Sequence, residues 1–95
     1  MEVKLRPQVS IAIGQLSFDR ETKNRILNQL YGQLENNHRY WRRQHPNPEH
    51  LDDEFFYRHS LYVNRRWTTL YFTVTDRFQG VLLVVEMTPD PPHRT

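Results

Sequence analysis

Cysteine is absent from the 95 residues. That absence excludes disulfide staples, thiolate-held zinc and thiol catalysis. Glycine occurs three times, at Gly14, Gly32 and Gly80, too scattered to build a phosphate-cradling loop. Lysine is nearly missing: two residues against eleven arginines. The longest apolar run, residues 81–85, has the length of a strand and falls far short of the ~20 residues of a membrane helix. The opening residues, Met1-Glu2-Val3-Lys4-Leu5-Arg6, lack the apolar stretch of a signal peptide. These absences predict a cytoplasmic chain with no membrane contact.

What is present fits one small domain covering residues 1–95. Five Phe, five Tyr and two Trp supply large apolar areas to a chain otherwise rich in charge. The net charge of +2 conceals an uneven distribution. Residues 37–50 carry Arg39, Arg42 and Arg43 against Glu49 alone. Residues 55–79 carry Arg58, Arg65, Arg66 and Arg77 against Asp76 alone. The acidic cluster Asp52-Asp53-Glu54 lies between them. Arginine makes planar, bidentate contacts with phosphate and stacks on bases, so such clusters point to nucleic acid; solvated surface charge is the plainer alternative.

The apolar periodicity changes along the chain. Residues 3–6 alternate and read as a short strand stopped by Pro7. Val9, Ala12, Ile13 and Leu16 fall at helical spacing behind Pro7, although Val9, Ile11 and Ile13 also alternate as in a strand. A second helix starts at Ser17 or Asp19, which can cap it. Its apolar face is Ile26, Leu27, Leu30, Tyr31 and Leu34, and His38 and Trp41 extend the stripe to about residue 42. Pro46 and Pro48 end it in a loop. Beyond residue 55 the pattern is that of strands. Residues 55–63 are aromatic and branched, residues 67–76 alternate, and residues 81–87 are almost wholly apolar, as for a strand covered on both faces. The turns at 64–66 and 76–80 are short and imply antiparallel neighbours. Residues 88–95 hold Pro89, Pro91 and Pro92 and read as an irregular tail. The predicted fold is α+β in the order β-α-α-β-β-β, with two N-terminal helices packed on an antiparallel sheet.

The helix Asp19-Arg-Glu-Thr-Lys-Asn-Arg-Ile-Leu-Asn-Gln-Leu and the hairpin from Tyr57 through Leu70-Tyr71-Phe72-Thr73-Val74-Thr75-Asp76 to Val81-Leu82-Leu83-Val84-Val85 resemble the RelE/ParE superfamily of toxins from bacterial type II toxin–antitoxin systems. The resemblance implies a RelE/ParE-like fold over residues 2–87. It implies a cognate antitoxin as partner, and either ribosome-dependent mRNA cleavage or inhibition of DNA gyrase. In the nuclease branch, basic side chains on the middle strands hold the scissile phosphate, so Arg58, His59, Arg65 and Arg66 become the candidate catalytic residues of an endoribonuclease. Counting back from Asp76, the position of the family's key arginine is occupied by Thr69, and the late Tyr or His corresponds to His93. A non-catalytic protein of the same fold, acting by binding alone, is the alternative.

The residues themselves suggest further roles. His59 beside Arg58 reads as a general base near a phosphate clamp, or as a half-buried strand histidine. Glu86 reads as a carboxylate base or as a solvated strand end. Tyr62, Trp67 and Tyr71 interleave with arginines, a pattern that serves base stacking and also cross-strand packing. Arg39, Arg42 and Arg43 share a helix face that could hold phosphates or complement the helix dipole. Histidines 38, 45, 50, 59 and 93 have no metal-site spacing, and no cofactor is expected.

Overall fold

The structure, a computed structural model, describes residues 1–47, 49, 53–63 and 65–88. The chain is α+β, with strand β1 (Glu2–Leu5), helices α1 (Pro7–Gly14) and α2 (Arg20–Gln44), and strands β2 (Glu54–Val63), β3 (Arg66–Thr75) and β4 (Val81–Thr88). Thr88, assigned to the tail in the sequence reading, still belongs to β4, and the expectation for residues 89–95 lies outside the described residues.

The ambiguous segment after Pro7 is helical. Proline occupies its first turn, where a missing N–H costs nothing. Val9 and Ile13 are buried one turn apart, whereas Ile11 is 59% exposed. Alternation of the three would have required Ile11 to share the buried face. Helix α2 begins where the Asp19 carboxylate accepts a hydrogen bond from the Thr22 N–H at 2.8 Å. That bond holds the Asp19 carboxyl below its ordinary pKa. Ile26, Leu30 and Leu34 form the buried stripe. The backbone leaves helical geometry at Asn37 (φ −131°, ψ 23°). Three side chains there bond locally: Asn36 to the Gly32 carbonyl, Asn37 to Gln33 and His38 to the Leu34 carbonyl. Polar side chains competing with the helical ladder are a known source of kinks. The kink redirects the last turns, which run to Gln44, beyond the expected end at 42.

The four strands form one sheet in the order β1-β4-β3-β2. β2, β3 and β4 are antiparallel neighbours through the two short turns. The expected all-antiparallel sheet is corrected at β1, which pairs in parallel with β4 through Glu2↔Val81 to Leu5↔Val84. The helices return the chain so that β2 and β4 run in the same sense as β1. A strand laid beside β4 in that sense must be parallel, and parallel pairing needs such a long crossover.

One face of the sheet is closed by the helices. Val9, Ile13, Ile26, Leu30 and Leu34 pack on Val3, Phe55, Tyr57, Leu70, Phe72, Val74, Leu82 and Val84. The opposite face is not covered by a described element. The expectation that β4 is covered on both sides is therefore corrected: Leu82 and Val84 are buried, but Val81, Leu83 and Val85 are half-exposed. A bulge between the Val74↔Val84 and Thr73↔Glu86 pairs leaves Val85 as an extra residue. The bulge reverses the alternation. Glu86 is turned to the open face opposite Thr73, and Met87 is turned in against the core opposite Phe72.

Candidate nucleic-acid interface

The open face of the β2–β3 hairpin gathers four of the residues singled out by the sequence, Arg58, Tyr62, Trp67 and Tyr71. Register pairs Arg58 with Tyr71, Ser60 with Thr69 and Tyr62 with Trp67. Phe55, Tyr57 and His59 alternate with these on β2 and are buried beneath the helices, so the other set faces away. The Ser60 and Thr69 hydroxyls hydrogen-bond across the strands at 3.1 Å. Tyr62 and Trp67 meet edge-to-face with centroids 5.4 Å apart. They stay 60% and 71% exposed, the largest exposed aromatic area of the sheet. Their contact fixes the rings without covering their outer faces.

The hairpin turn adds charge to that end. Arg65 has φ +65°, the left-handed region normally left to Gly or Asn. The turn has two residues, and such turns need left-handed backbone to match the strand twist. Asn64, its other residue, lies outside the described residues. Arg65→Gly is therefore expected to relieve backbone strain and raise stability by up to about 1 kcal/mol. Thermal melting checks this outcome, and a lower melting temperature would contradict it.

Hydrogen bonding sorts the arginines into two groups. Arg42 is engaged: its guanidinium pairs with Asp76 and lies 5.3 Å over the Phe55 ring. It thereby ties the end of α2 to the β3–β4 turn. Arg77 donates to Asp53 at 3.2 Å, and Arg25 bridges Glu21 at 3.7 Å. Among the described residues, Arg39, Arg43, Arg58, Arg65 and Arg66 have no carboxylate within ion-pair distance. Arg39 and Arg43 flank a shallow depression with Tyr40 at the helix kink, remote in the chain from the hairpin. Arg42, expected on their face, points instead to Asp76.

Arg58 and His59 do not form a pair. Neighbours on a strand project to opposite faces, and Arg58 is exposed while His59 is 6% exposed on the helix side. The His59 Nδ1 shares a 3.2 Å hydrogen bond with the Tyr57 hydroxyl. Burial lowers the His59 pKa and pushes that of Tyr57 up to about 12, so both are neutral at pH 7. The linkage has a definite sign. The unfolded chain takes up a proton below about pH 6.5 while folded His59 resists it, so stability is lost as pH falls through that value toward the lowered pKa. His45 contributes in the same direction, its pKa lowered by burial and by the nearby Arg58 guanidinium. The melting temperature is expected to drop between pH 7.5 and pH 5.5, and to drop less in His59→Gln; a flat wild-type profile would contradict this.

Two side chains near the open face were less visible in the sequence. Glu86 reaches it only through the bulge. His45 caps α2 and accepts the Phe56 N–H on its carbonyl, which brings it beside Arg58. Trp41 stacks on His45 and meets Tyr57 edge-on at 4.8 Å, so it is a structural anchor. No group of three or more metal-ligating side chains exists among the described residues, and no helix there is long and apolar enough to cross a membrane. His93 and His50 lie outside the described residues. Comparison with protein-family models, curated proteins and solved structures finds no match to the chain.

Proposed function

We propose that the protein holds single-stranded RNA on the open face of the β2–β3 hairpin, as a cytoplasmic, toxin-like protein of RelE/ParE type that acts by binding. The observation that carries the reading is the register: Arg58, Tyr71, Tyr62 and Trp67 share one face that no described element covers, and it ends at the turn residue Arg65, which has no carboxylate partner among the described residues. Arg66, paired with Val63 at the start of β3, has the opposite parity. Aromatic faces accept unpaired bases of any sequence, and guanidinium groups hold the phosphates between them. A duplex offers no unstacked base to Trp67, so single strands are preferred. The resemblance to RelE/ParE toxins supplies the physiological frame of mRNA or ribosome as target and an antitoxin as suppressor.

Fluorescence anisotropy with a labelled oligoribonucleotide of about ten residues tests the binding step. Two phosphate contacts, by Arg58 and Arg65, predict a log–log salt slope of about −1.4 for a single strand. Arg58→Ala should bring the slope closer to zero by about 0.7. Binding independent of salt, or equal for duplex and single strand, would contradict the proposal. Induction in cells tests the frame: growth arrest that survives in the absence of RNA binding points to gyrase, and no growth effect rejects the toxin reading.

Endoribonuclease action is the second reading, and one observation favours it. The bulge sets Glu86 one register step from the Arg58–Tyr71 row on the same face. A carboxylate can take the 2′-hydroxyl proton while Arg58 offsets phosphate charge. Glu86→Gln would then abolish cleavage of a bound RNA and leave affinity intact. A wild-type protein that binds RNA and leaves it uncut excludes this reading.

A further inference from the structure

The outer edge of β2 is used along only part of its length. β2 is the last strand of the sheet. At its N-terminal end the chain itself covers the edge: the Phe56 N–H donates to the His45 carbonyl at 2.8 Å, and the Asn47 N–H donates to the Glu54 carbonyl at 3.2 Å. Outward backbone groups recur every second residue of an antiparallel strand. The N–H and C=O of Arg58, Ser60 and Tyr62 therefore point outward as well, and no described residue pairs with them.

Beside this free half runs a groove of about 280 Å³ between α2 and β2. Thr22, Ile26 and Gln29 of α2 face His59, Leu61 and Val63 of β2 across it. Its floor is apolar, since Ile26 is buried and Leu61 is half-buried. Its flanks are cationic. Arg25 lines it on the helix side, and Arg58 stands on the open face of the same edge. Arg25 is bridged by Glu21 at 3.7 Å and also feels the Asp19 carboxylate at the helix cap, whereas Arg58 has no carboxylate partner among the described residues.

We propose that the free half of the β2 edge accepts an extended, acidic segment of a partner protein as an added strand. Backbone pairing at Arg58, Ser60 and Tyr62 supplies the hydrogen bonds, and alternate side chains supply the selection. Residues of the incoming strand that point toward α2 rest on Ile26 and Leu61. Those that point away meet Arg58. An apolar–acidic alternation fits both sides at once. A second copy of this chain fits poorly, because it brings another Arg58 and Arg25 to the same edge. The inference rests on the backbone edge and the groove; Tyr62 and Trp67, which also line the groove, and Arg58 are shared with the proposed RNA face.

The test uses the full chain and an alternating Glu-Val peptide of about ten residues, with a Lys-Val peptide of the same length as control. Backbone hydrogen exchange followed by NMR is expected to slow at the amides of Arg58, Ser60 and Tyr62 when the Glu-Val peptide is added. Ser60→Pro removes the central donor at an edge position that tolerates proline, and Gln29→Trp fills the groove from the helix side. Each is expected to weaken peptide binding at least tenfold. If Ser60→Pro unfolds the sheet, Gln29→Trp, which alters no strand, still decides the question. Unchanged exchange at the three amides, equal binding of the Lys-Val peptide, or full protection in the free protein through self-association would overturn the proposal.

Discussion

Trp67→Ala is expected to lower affinity for single-stranded RNA roughly five- to a hundredfold, a loss of about 1–3 kcal/mol, while the protein stays folded. Trp67 is 71% exposed, so its truncation removes little buried area. Its structural contribution is the edge-to-face contact with Tyr62, a cross-strand pair of the kind that contributes about 0.2–1 kcal/mol. A stacking platform behaves differently. The ring presents its whole outer face to a base, and nothing else on that strand position can replace it. Trp67→Phe keeps a smaller face and should retain most of the affinity. Anisotropy together with thermal melting separates the two roles. If Trp67→Ala binds RNA as well as wild type, base stacking at the hairpin end is wrong, whatever the arginines do.

Phe72→Ala carries the largest expected loss of stability. Phe72 is fully buried at the centre of β3, between Tyr57 on β2 and Met87 on β4. Its ring lies 5.9 Å from that of Tyr57 at an interplanar angle of 28°. Removing a buried Phe leaves a cavity and costs about 3–5 kcal/mol. Small domains have only about 5–15 kcal/mol in total, so the variant should lose roughly a fifth or more of its stability. Phe78→Ala is the matched control. Phe78 is 48% exposed in the β3–β4 turn, and its truncation should change stability by about 0.5 kcal/mol or less. Urea unfolding checks both. Equal midpoints for the two variants would mean that the core described here is not the one that holds the sheet.

The features that were legible in the sequence are those with a short period. The stripe Ile26, Leu30 and Leu34 announced α2, and the alternation Leu70, Phe72 and Val74 announced β3 and its buried face. The same alternation separates Arg58 from His59, because adjacent strand residues cannot share a face. Long-range features left no local trace. β1 is four residues long, and its parallel partner lies nearly eighty residues away in β4. The bulge at Val85 sits inside an apolar run that gives no sign of a change of face, so the outward turn of Glu86 was invisible. The kink at Asn37 arises from side-chain bonds in a stretch with continuous apolar periodicity.

The arginines show the same limit from the side of charge. Clustering along the chain suggested that Arg39, Arg42 and Arg43 act together. Arg42 instead finds Asp76, a residue 34 positions away, and Arg77 finds Asp53 across 24 positions. The acidic cluster is likewise divided. Asp53 receives Arg77 and, through its carbonyl, the Thr75 hydroxyl. Glu54 accepts from Asn47, and Asp52 lies outside the described residues. Local pairing thus neutralises the cations near the turn at 76–80 and leaves those of the β2–β3 hairpin without a carboxylate partner among the described residues. That partition, more than the net charge, is what the proposed binding of a polyanion at the hairpin rests on.

Titration of isotope-labelled protein with a short single-stranded RNA, followed by NMR, tests the central claim most directly. The account predicts shift changes at the amides of Arg58, Tyr62, Trp67 and Tyr71 and at the Trp67 indole, with the Trp41 indole and the buried Tyr57–His59 pair unmoved. Changes confined to Arg39, Tyr40 and Arg43 on α2, or no change at saturating RNA, would contradict it.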